Sequence, residues 1–276
     1  FADIGLNTHV LDPADFKAKI TSKTKAVVPT HLFGTPCNME EICAIAKAHD
    51  VVVIEDCAQS TGGAFQGVKV GAWGDSAYYT FGLTKNITTL SGAMITTNDA
   101  GIADSVRSAI ANGGYTSKRK LAKEALTGLA MFMATHPAIY WATVHPAVVL
   151  GNKLGQDPIH ERFGEPECTY DSVPNYYFEK GRALAVQAAV GMKQLDRIES
   201  LNGSRRKNGQ ALDRGLIGTS DLELPDYPEG SEPIYMSFVV HHDNREKLAE
   251  ELRSRGVDTT TGYMNDMSAV SYTHLR

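Results

Sequence analysis

Residues 51–97 read VVVIEDCAQSTGGAFQGVKVGAWGDSAYYTFGLTKNITTLSGAMITT, and this stretch decides the fold. It holds three strand-like apolar runs, at 51–54, 77–81 and 93–97. The first ends in two carboxylates, Glu55 and Asp56. The second is followed closely by one lysine, Lys85, and the third follows the pair Ser91-Gly92. Near-continuous apolar strands with short connections belong to parallel sheets covered by helices on both faces. In such sheets ligands bind at the carboxyl ends of strands, and Asp56 stands at one such end.

The preceding residues extend the same pattern. Asp12 before Pro13 marks a helix start, and 26–29 (AVVP) reads as a short buried strand. Asn38 caps a helix over 39–48, whose Met39, Ile42, Ile45 and Ala46 follow a 3.6-residue period. His31 lies in the loop one strand before Asp56. The glycine-rich 61–76 reads as a hairpin and turn region; it has neither the spacing nor the strand-to-helix setting of a dinucleotide loop. A helix follows from Asn98-Asp99 to about Ala111, with Ile102, Val106, Ala109 and Ile110 on one face.

Downstream, 115–170 runs from a basic cluster (Lys118, Arg119, Lys120, Lys123) into an apolar segment interrupted by His136-Pro137 and His145-Pro146. The cluster reads as a solvated helix face. The prolines predict two or three short helices. A helical hairpin packed within the protein or against a second subunit fits best, with an interface, a lid or a membrane-surface contact as other readings. Residues 171–201 predict one long helix burying Leu184, Ala188, Gly191, Leu195 and Ile198. A loop-rich stretch, a strand at 234–242, a helix at 244–255 and a strand at 257–261 suggest an incomplete α+β unit. The expected division is a large domain over 1–200 with a helical insertion at 115–170, a partial small domain over 201–268, and a non-native tail at 269–276, AVSYTHLR, which resembles translated sequencing adapter.

Composition narrows the function. Against 27 Lys and Arg stand 32 Asp and Glu, a balance that argues against a nucleic-acid surface. The four cysteines form no C-x-x-C pair and no zinc-like spacing, which fits reduced, buried thiols in a cytoplasmic protein without a structural metal. Cys57, beside Asp56, reads as a packing residue. No secretory signal is read at the N-terminus, and no apolar run reaches the roughly 20 residues of a bilayer span.

Strand, acid, strand, lysine, strand is the order expected of a site for pyridoxal 5'-phosphate. That cofactor needs a lysine for its aldehyde, an acid facing its pyridine nitrogen, donors for its phosphate and a flat group over its ring. Lys85 is the candidate lysine and Asp56 the acid, 29 residues apart. Gln59 is placed to contact the ring oxygen from the same loop as Asp56, and Thr80 to donate to the phosphate.

The chain resembles the DegT/StrS-type sugar aminotransferases, of the aspartate aminotransferase fold (fold type I). The resemblance rests on residues 24–34 (TKAVVPTHLFG), 54–60 (IEDCAQS), Gly74-Asp75, 80–86 (TFGLTKN), Gln187-Ala188-Ala189 and Gln194-Leu195, and fails over 115–170. It implies an α/β fold with a mostly parallel sheet, helices on both faces and a partial small α+β domain. It implies that Lys85 carries the cofactor and moves the proton, that Asp56 pairs with the ring nitrogen, and that Gln59 and Thr80 bind as above. Lys85 argues against the branch of the family that has histidine there and dehydrates its substrate. His31 matches a position near the site. If Arg182 matches the arginine of the long-helix motif, Lys180 takes the place of the asparagine that reaches a neighbouring subunit's phosphate. The implied reaction moves an amino group from glutamate or glutamine to a nucleotide-linked keto sugar, in a homodimer, for polysaccharide or amino-sugar biosynthesis. The resemblance also implies that a phosphate-binding turn and a ring-stacking residue belong to sequence before Phe1, so the fragment alone would hold cofactor poorly. A non-catalytic regulatory or complex-forming relative, and another fold type I enzyme, are the alternatives.

Overall fold

The computed structural model describes residues 1–111, 113–153, 182–257 and 259. Its first elements follow the sequence closely. Helix α1, Pro13–Lys19, starts where the Asp12 carboxylate accepts from the Ala14 amide. Strand β1 is Ala26–Val27, helix α2 Met39–Ala48 and strand β2 Val52–Asp56. A short hairpin, β3 (Ala64–Phe65) and β4 (Val68–Lys69), leads to β5 (Ser76–Thr80), β6 (Ala93–Thr97) and helix α3 (Ala100–Ala111).

Strands β1, β2, β5 and β6 form one sheet in that order. The first three are mutually parallel and β6 is antiparallel, pairing Thr80 with Ala93. The fold is therefore α/β with a mixed, mostly parallel sheet. Residues of a strand alternate between faces. Val27, Val53 and Glu55 are buried on one face, where Val53 and Val27 join Phe16, Met39, Ile42, Ala46 and Phe65 in the main core. Val28 and Val52 lie on the other face and are exposed. Asp56 lies on that second face. The expected burial stripe of α3 is only half realised: Ile102 and Val106 are half-buried, while Ala109 and Ile110 are exposed.

Later elements depart from expectation. Helices α4 (Lys118–Ala134) and α5 (Pro137–Lys153) are long, not short. Pro137 separates them from the first helical position, where a missing N–H costs nothing; Pro146 is accommodated inside α5. The single helix expected over 171–201 is, within the described residues, α6 (Ala185–Leu195) followed by α7 (Ile198–Leu216) after a break at Asp196 and Arg197. Helix α7 thus occupies ground read as loop. It passes Gly209 because the Tyr235 ring lies where a side chain would be. The strand expected at 234–242 does not form: Tyr235 takes φ +50°, which interrupts extended backbone, and His241 makes only an isolated bridge with Glu223. A short β7 (Ser231–Glu232) pairs with β3, and α8 spans Arg245–Ser254. The strand expected at 257–261 and the tail lie mostly or wholly outside the described residues.

The chain divides into two compact units, Phe1–Leu121 with Lys180–His241, and Ala122–Glu179 with His242–Arg276. The sheet and the site residues below belong to the first.

Gly74 marks how tightly that unit is packed. A Cβ there would lie 2.7 Å from the Val53 carbonyl oxygen, and backbone cannot yield as a side chain can. Gly74→Ala is expected to lower stability by about 1–3 kcal/mol, read as a shifted midpoint in urea denaturation.

Candidate active site

Adjacent residues at the end of β2 point opposite ways. Glu55, with no exposed surface, enters the core side. Its Oε2 accepts from the Gly71 amide at 2.7 Å and its Oε1 from the Trp73 and Gly74 amides at 2.8 and 2.7 Å. His31 completes the cradle, with Nε2 3.1 Å from Glu55 Oε2. Because His31 Nδ1 accepts from the Cys37 amide at 3.0 Å, that nitrogen carries no proton in this arrangement, and Nε2–H is the donor to Glu55. Burial alone would raise the Glu55 carboxyl; the His31 hydrogen bond and the Gly71 and Gly74 amides outweigh it and hold it below its ordinary value.

Asp56 faces the open side. The parallel register sets it beside Tyr78, two residues before Thr80 on the same face of β5. Its Oδ1 accepts from the Ala58 amide at 2.9 Å and its Oδ2 from the Thr30 hydroxyl at 3.4 Å. Backbone bonds from Asp56 to the Pro29 carbonyl and from His31 to the Asp56 carbonyl fix the strand end against β1's extension. Burial and the neighbouring Asp56 carboxylate push the Tyr78 phenol up, so it stays protonated. Gln59 follows in the next turn. Its Oε1 accepts from the Phe33 amide at 2.9 Å, which leaves the Nε2 group as a donor. Thr80 ends β5 with its hydroxyl oxygen buried and without a hydrogen-bond partner among the described residues. Lys85 lies five residues further, half-buried, and none of the hydrogen bonds or ion pairs of the described residues engages its ammonium.

The loop between β5 and β6 is gripped from α6 and α7. The Gln187 amide nitrogen donates to the Thr89 and Ser91 carbonyls at 3.2 and 3.1 Å. The Gln194 side chain accepts from the Thr88 amide at 3.0 Å and donates to the Thr88 carbonyl. Asn86, beside the lysine, donates to the Thr61 carbonyl at 2.9 Å; Asn202 of α7, fully buried, donates to that same carbonyl at 3.1 Å. The inward stripe of α6 is therefore Leu184, Gln187, Gly191 and Gln194, continued by Ile198; the expected Ala188 and Leu195 are exposed. The glutamines turn inward because the loop offers them unpaired backbone groups.

Of the residues singled out from the sequence, Asp56, Gln59, Thr80 and Lys85 gather at the carboxyl ends of adjacent parallel strands. His31, matched only to a position near the site, lies one strand from Asp56 with both ring nitrogens engaged inside the core, Nδ1 by the Cys37 amide and Nε2 by Glu55. Lys180 lies outside the described residues. Arg182 donates through its guanidinium to the Ala111 carbonyl at 3.5 Å. Glu55, Gln187, Gln194 and Asn202 carry roles that the residue-by-residue reading did not assign. The described cysteines are free thiols, and burial pushes Cys37 up to about 12 and Cys43 up to about 11, while Cys57 also rises; none is a nucleophile. His31, Glu55 and Cys57 bring possible ligand atoms within 4.8 Å of one another. The histidine nitrogens and carboxylate oxygens there already have partners, so the group is a hydrogen-bonded core.

An acid, an amide, a hydroxyl without a partner among the described residues and a lysine thus stand at or just after neighbouring strand ends of a mostly parallel sheet. The chain belongs to the DegT/DnrJ/EryC1/StrS aminotransferase family, which its sequence matches over residues 1–143 and 176–275. A pleiotropic regulatory protein of Geobacillus stearothermophilus is 46% identical over 277 residues, covering 92% of this chain and 72% of that protein. A UDP-N-acetyl-3-dehydro-alpha-D-glucosamine 3-aminotransferase of Acidithiobacillus ferrooxidans is 26% identical over 264 residues, 95% of this chain and 57% of that one. The structure of S. venezuelae DesV, in complex with a ketimine intermediate, superposes with a TM-score of 0.65 at 25% identity, over 96% of this chain and 57% of DesV. The chain thus spans between about half and three quarters of the length of these relatives.

The Glu55 cradle has a pH signature. A carboxyl lowered by folding contributes stability that is present above its unfolded value and is lost as pH falls through the folded one. Glu55→Gln is expected to lower stability at neutral pH by about 2–4 kcal/mol, since its amide would set a donor against backbone donors. It should also flatten the acid limb of a stability-versus-pH curve measured by urea denaturation. A variant as stable as the parent would remove the cradle's claimed role.

Proposed function

We propose that this chain is the cofactor-binding part of a pyridoxal phosphate-dependent aminotransferase that moves an amino group from glutamate or glutamine to a nucleotide-linked keto sugar. The observation that carries the reading is the buried Thr80 hydroxyl, which has no partner among the described residues, on the same open face as Asp56 and five residues before Lys85, whose ammonium no described residue engages. A buried hydroxyl without a partner is costly, and a phosphate oxygen would satisfy it. The cofactor, when bound, supplies a carbonyl carbon that amines attack and a ring that takes up the electrons of a broken C–H bond.

The chain's residues have distinct tasks. Lys85 would hold the cofactor through Nζ, and the same amine, when free, would carry the proton. The Asp56 carboxylate, held in place by the Ala58 amide and the Thr30 hydroxyl, would face the ring nitrogen and favour the protonated ring. Gln59 donates from Nε2 to the ring oxygen, and Thr80 to the phosphate. The sugar nucleotide is supported by the name of the Acidithiobacillus relative. The reading includes a cytoplasmic homodimer in which Lys180 would reach the partner subunit's phosphate, a large domain to residue 200 and a partial small domain after it. No helix among the described residues is long and apolar enough to cross a membrane. The Geobacillus relative is named for regulation, whereas other relatives are named as sugar aminotransferases, which favours the catalytic reading.

Incubation with pyridoxal phosphate, borohydride reduction and peptide mass mapping should place one stable adduct on Lys85, absent in Lys85→Ala. Thr80→Ala should weaken cofactor retention roughly tenfold, the cost of about one charge-assisted hydrogen bond, measured by equilibrium dialysis. Adducts scattered over surface lysines, with none at Lys85, would overturn the assignment.

A further inference from the structure

We propose that helix α4 docks this protein onto an anionic membrane surface, lying in the interface without crossing it. The helix opens on Lys118, Arg119 and Lys120, and Lys123 follows one turn later; all four are exposed, and no acidic residue stands in the first turn. This placement works against the helix itself, because cations at the N-terminus face the positive end of the macrodipole. Local helix stability therefore gives no reason for the cluster, whereas a negatively charged surface does.

The same side of the helix is apolar and uncovered. Leu126, Leu129 and Met133 follow at i, i+3 and i+7, with Phe132 at their border. Leu126 is 68% and Phe132 69% exposed, and Leu129 and Met133 are more than half exposed. Arg119 and Lys123 lie four residues apart and Leu126 three further on, so the basic and apolar residues share one stripe. In α5, Trp141 is 58% exposed although its ring also packs over Gly256 beyond α8. Leucine, methionine and phenylalanine beside lysine and arginine, on a helix not long and apolar enough to span, is the composition of an interfacial helix. The apolar side chains would enter the acyl boundary while the basic ones meet lipid phosphates. Charge complementarity is what selects a bilayer over a second copy of this chain, whose formal charge of −5 offers no phosphate-dense plane for the apolar stripe to lie in.

The test is flotation of the full chain with vesicles of phosphatidylcholine, with and without phosphatidylglycerol. Binding is expected to the anionic vesicles alone, to weaken as salt is raised, and to shift tryptophan emission to shorter wavelength. Leu126→Glu with Phe132→Glu, and separately Lys118→Glu with Lys123→Glu, should each reduce binding roughly tenfold. Both positions are at the surface, and an unchanged Lys85 adduct shows that each variant is folded. Binding that is absent, equal for neutral and anionic vesicles, or indifferent to both pairs overturns the proposal. So does a concentration-dependent dimer that the Leu126 and Phe132 pair dissolves while vesicles are ignored; the face would then belong to a second copy.

Discussion

A carboxylate with no exposed surface must be held by donors, and much of the site depends on how Glu55 is held. Three backbone amides from a single turn and one imidazole converge on it. An uncompensated charge in that position would cost several kcal/mol, so the turn from Gly71 to Gly74 is obliged to keep its shape. That obligation explains two glycines. Gly71 has φ +88°, and a Cβ on it would overlap the Tyr79 hydroxyl; Gly74 has no room before the Val53 carbonyl. The cradle ties β2 to the turn entering β5 and, through His31, to the loop leaving β1. Three strand ends are thereby fixed against one another, and Asp56 is presented from the middle one.

The period of two along a strand lets neighbours 55 and 56 serve unlike ends. One carboxylate is committed to architecture, and its neighbour faces the open side, where the proposed function uses it. From the sequence both were legible as a strand-terminal acidic pair, and the lysine, the glutamine and the threonine were legible by their spacing in a recognisable order of strands. The division of labour within the pair was not. Nothing in the text Ile-Glu-Asp says which acid has donors waiting; that depends on amides from residues 71–74, which meet Glu55 only after the turn has folded. The role of His31 was hidden for the same reason. Its position beside the strand end was readable, but its tautomer and partners come from Cys37 and Glu55.

Helix α6 shows where periodicity misleads. Counting apolar residues puts Ala188 and Leu195 inward, one residue out of phase with the stripe that forms. Polar side chains are scored as solvent-seeking, yet Gln187 is almost fully buried because it meets the Thr89 and Ser91 carbonyls. The same blindness hid α7. Gly203, Asn208 and Gly209 look like loop residues, but Gly209 makes room for the Tyr235 ring and Asn202 is satisfied at the Thr61 carbonyl. Local chemistry is a sound guide where an element caps itself, as α1 and α2 do, and a poor one where another element supplies the hydrogen bonds.

What α6 grips is also telling. Gln187 and Gln194 hold four main-chain groups of the loop that carries Lys85: the Thr88 amide and carbonyl, and the Thr89 and Ser91 carbonyls. Each such bond contributes about 1 kcal/mol net, and they add to the burial of Ile87 in fixing the loop. Because the grip acts on the backbone, it does not engage the lysine side chain. A lysine tied by a carboxylate would be positioned but charged and occupied; one anchored only through its neighbours' peptide groups is positioned and left free to react. Fixed backbone with an uncommitted ammonium is the arrangement expected where an amine must form and release a covalent bond repeatedly, and it accounts for why the polar residues of this helix face inward at all.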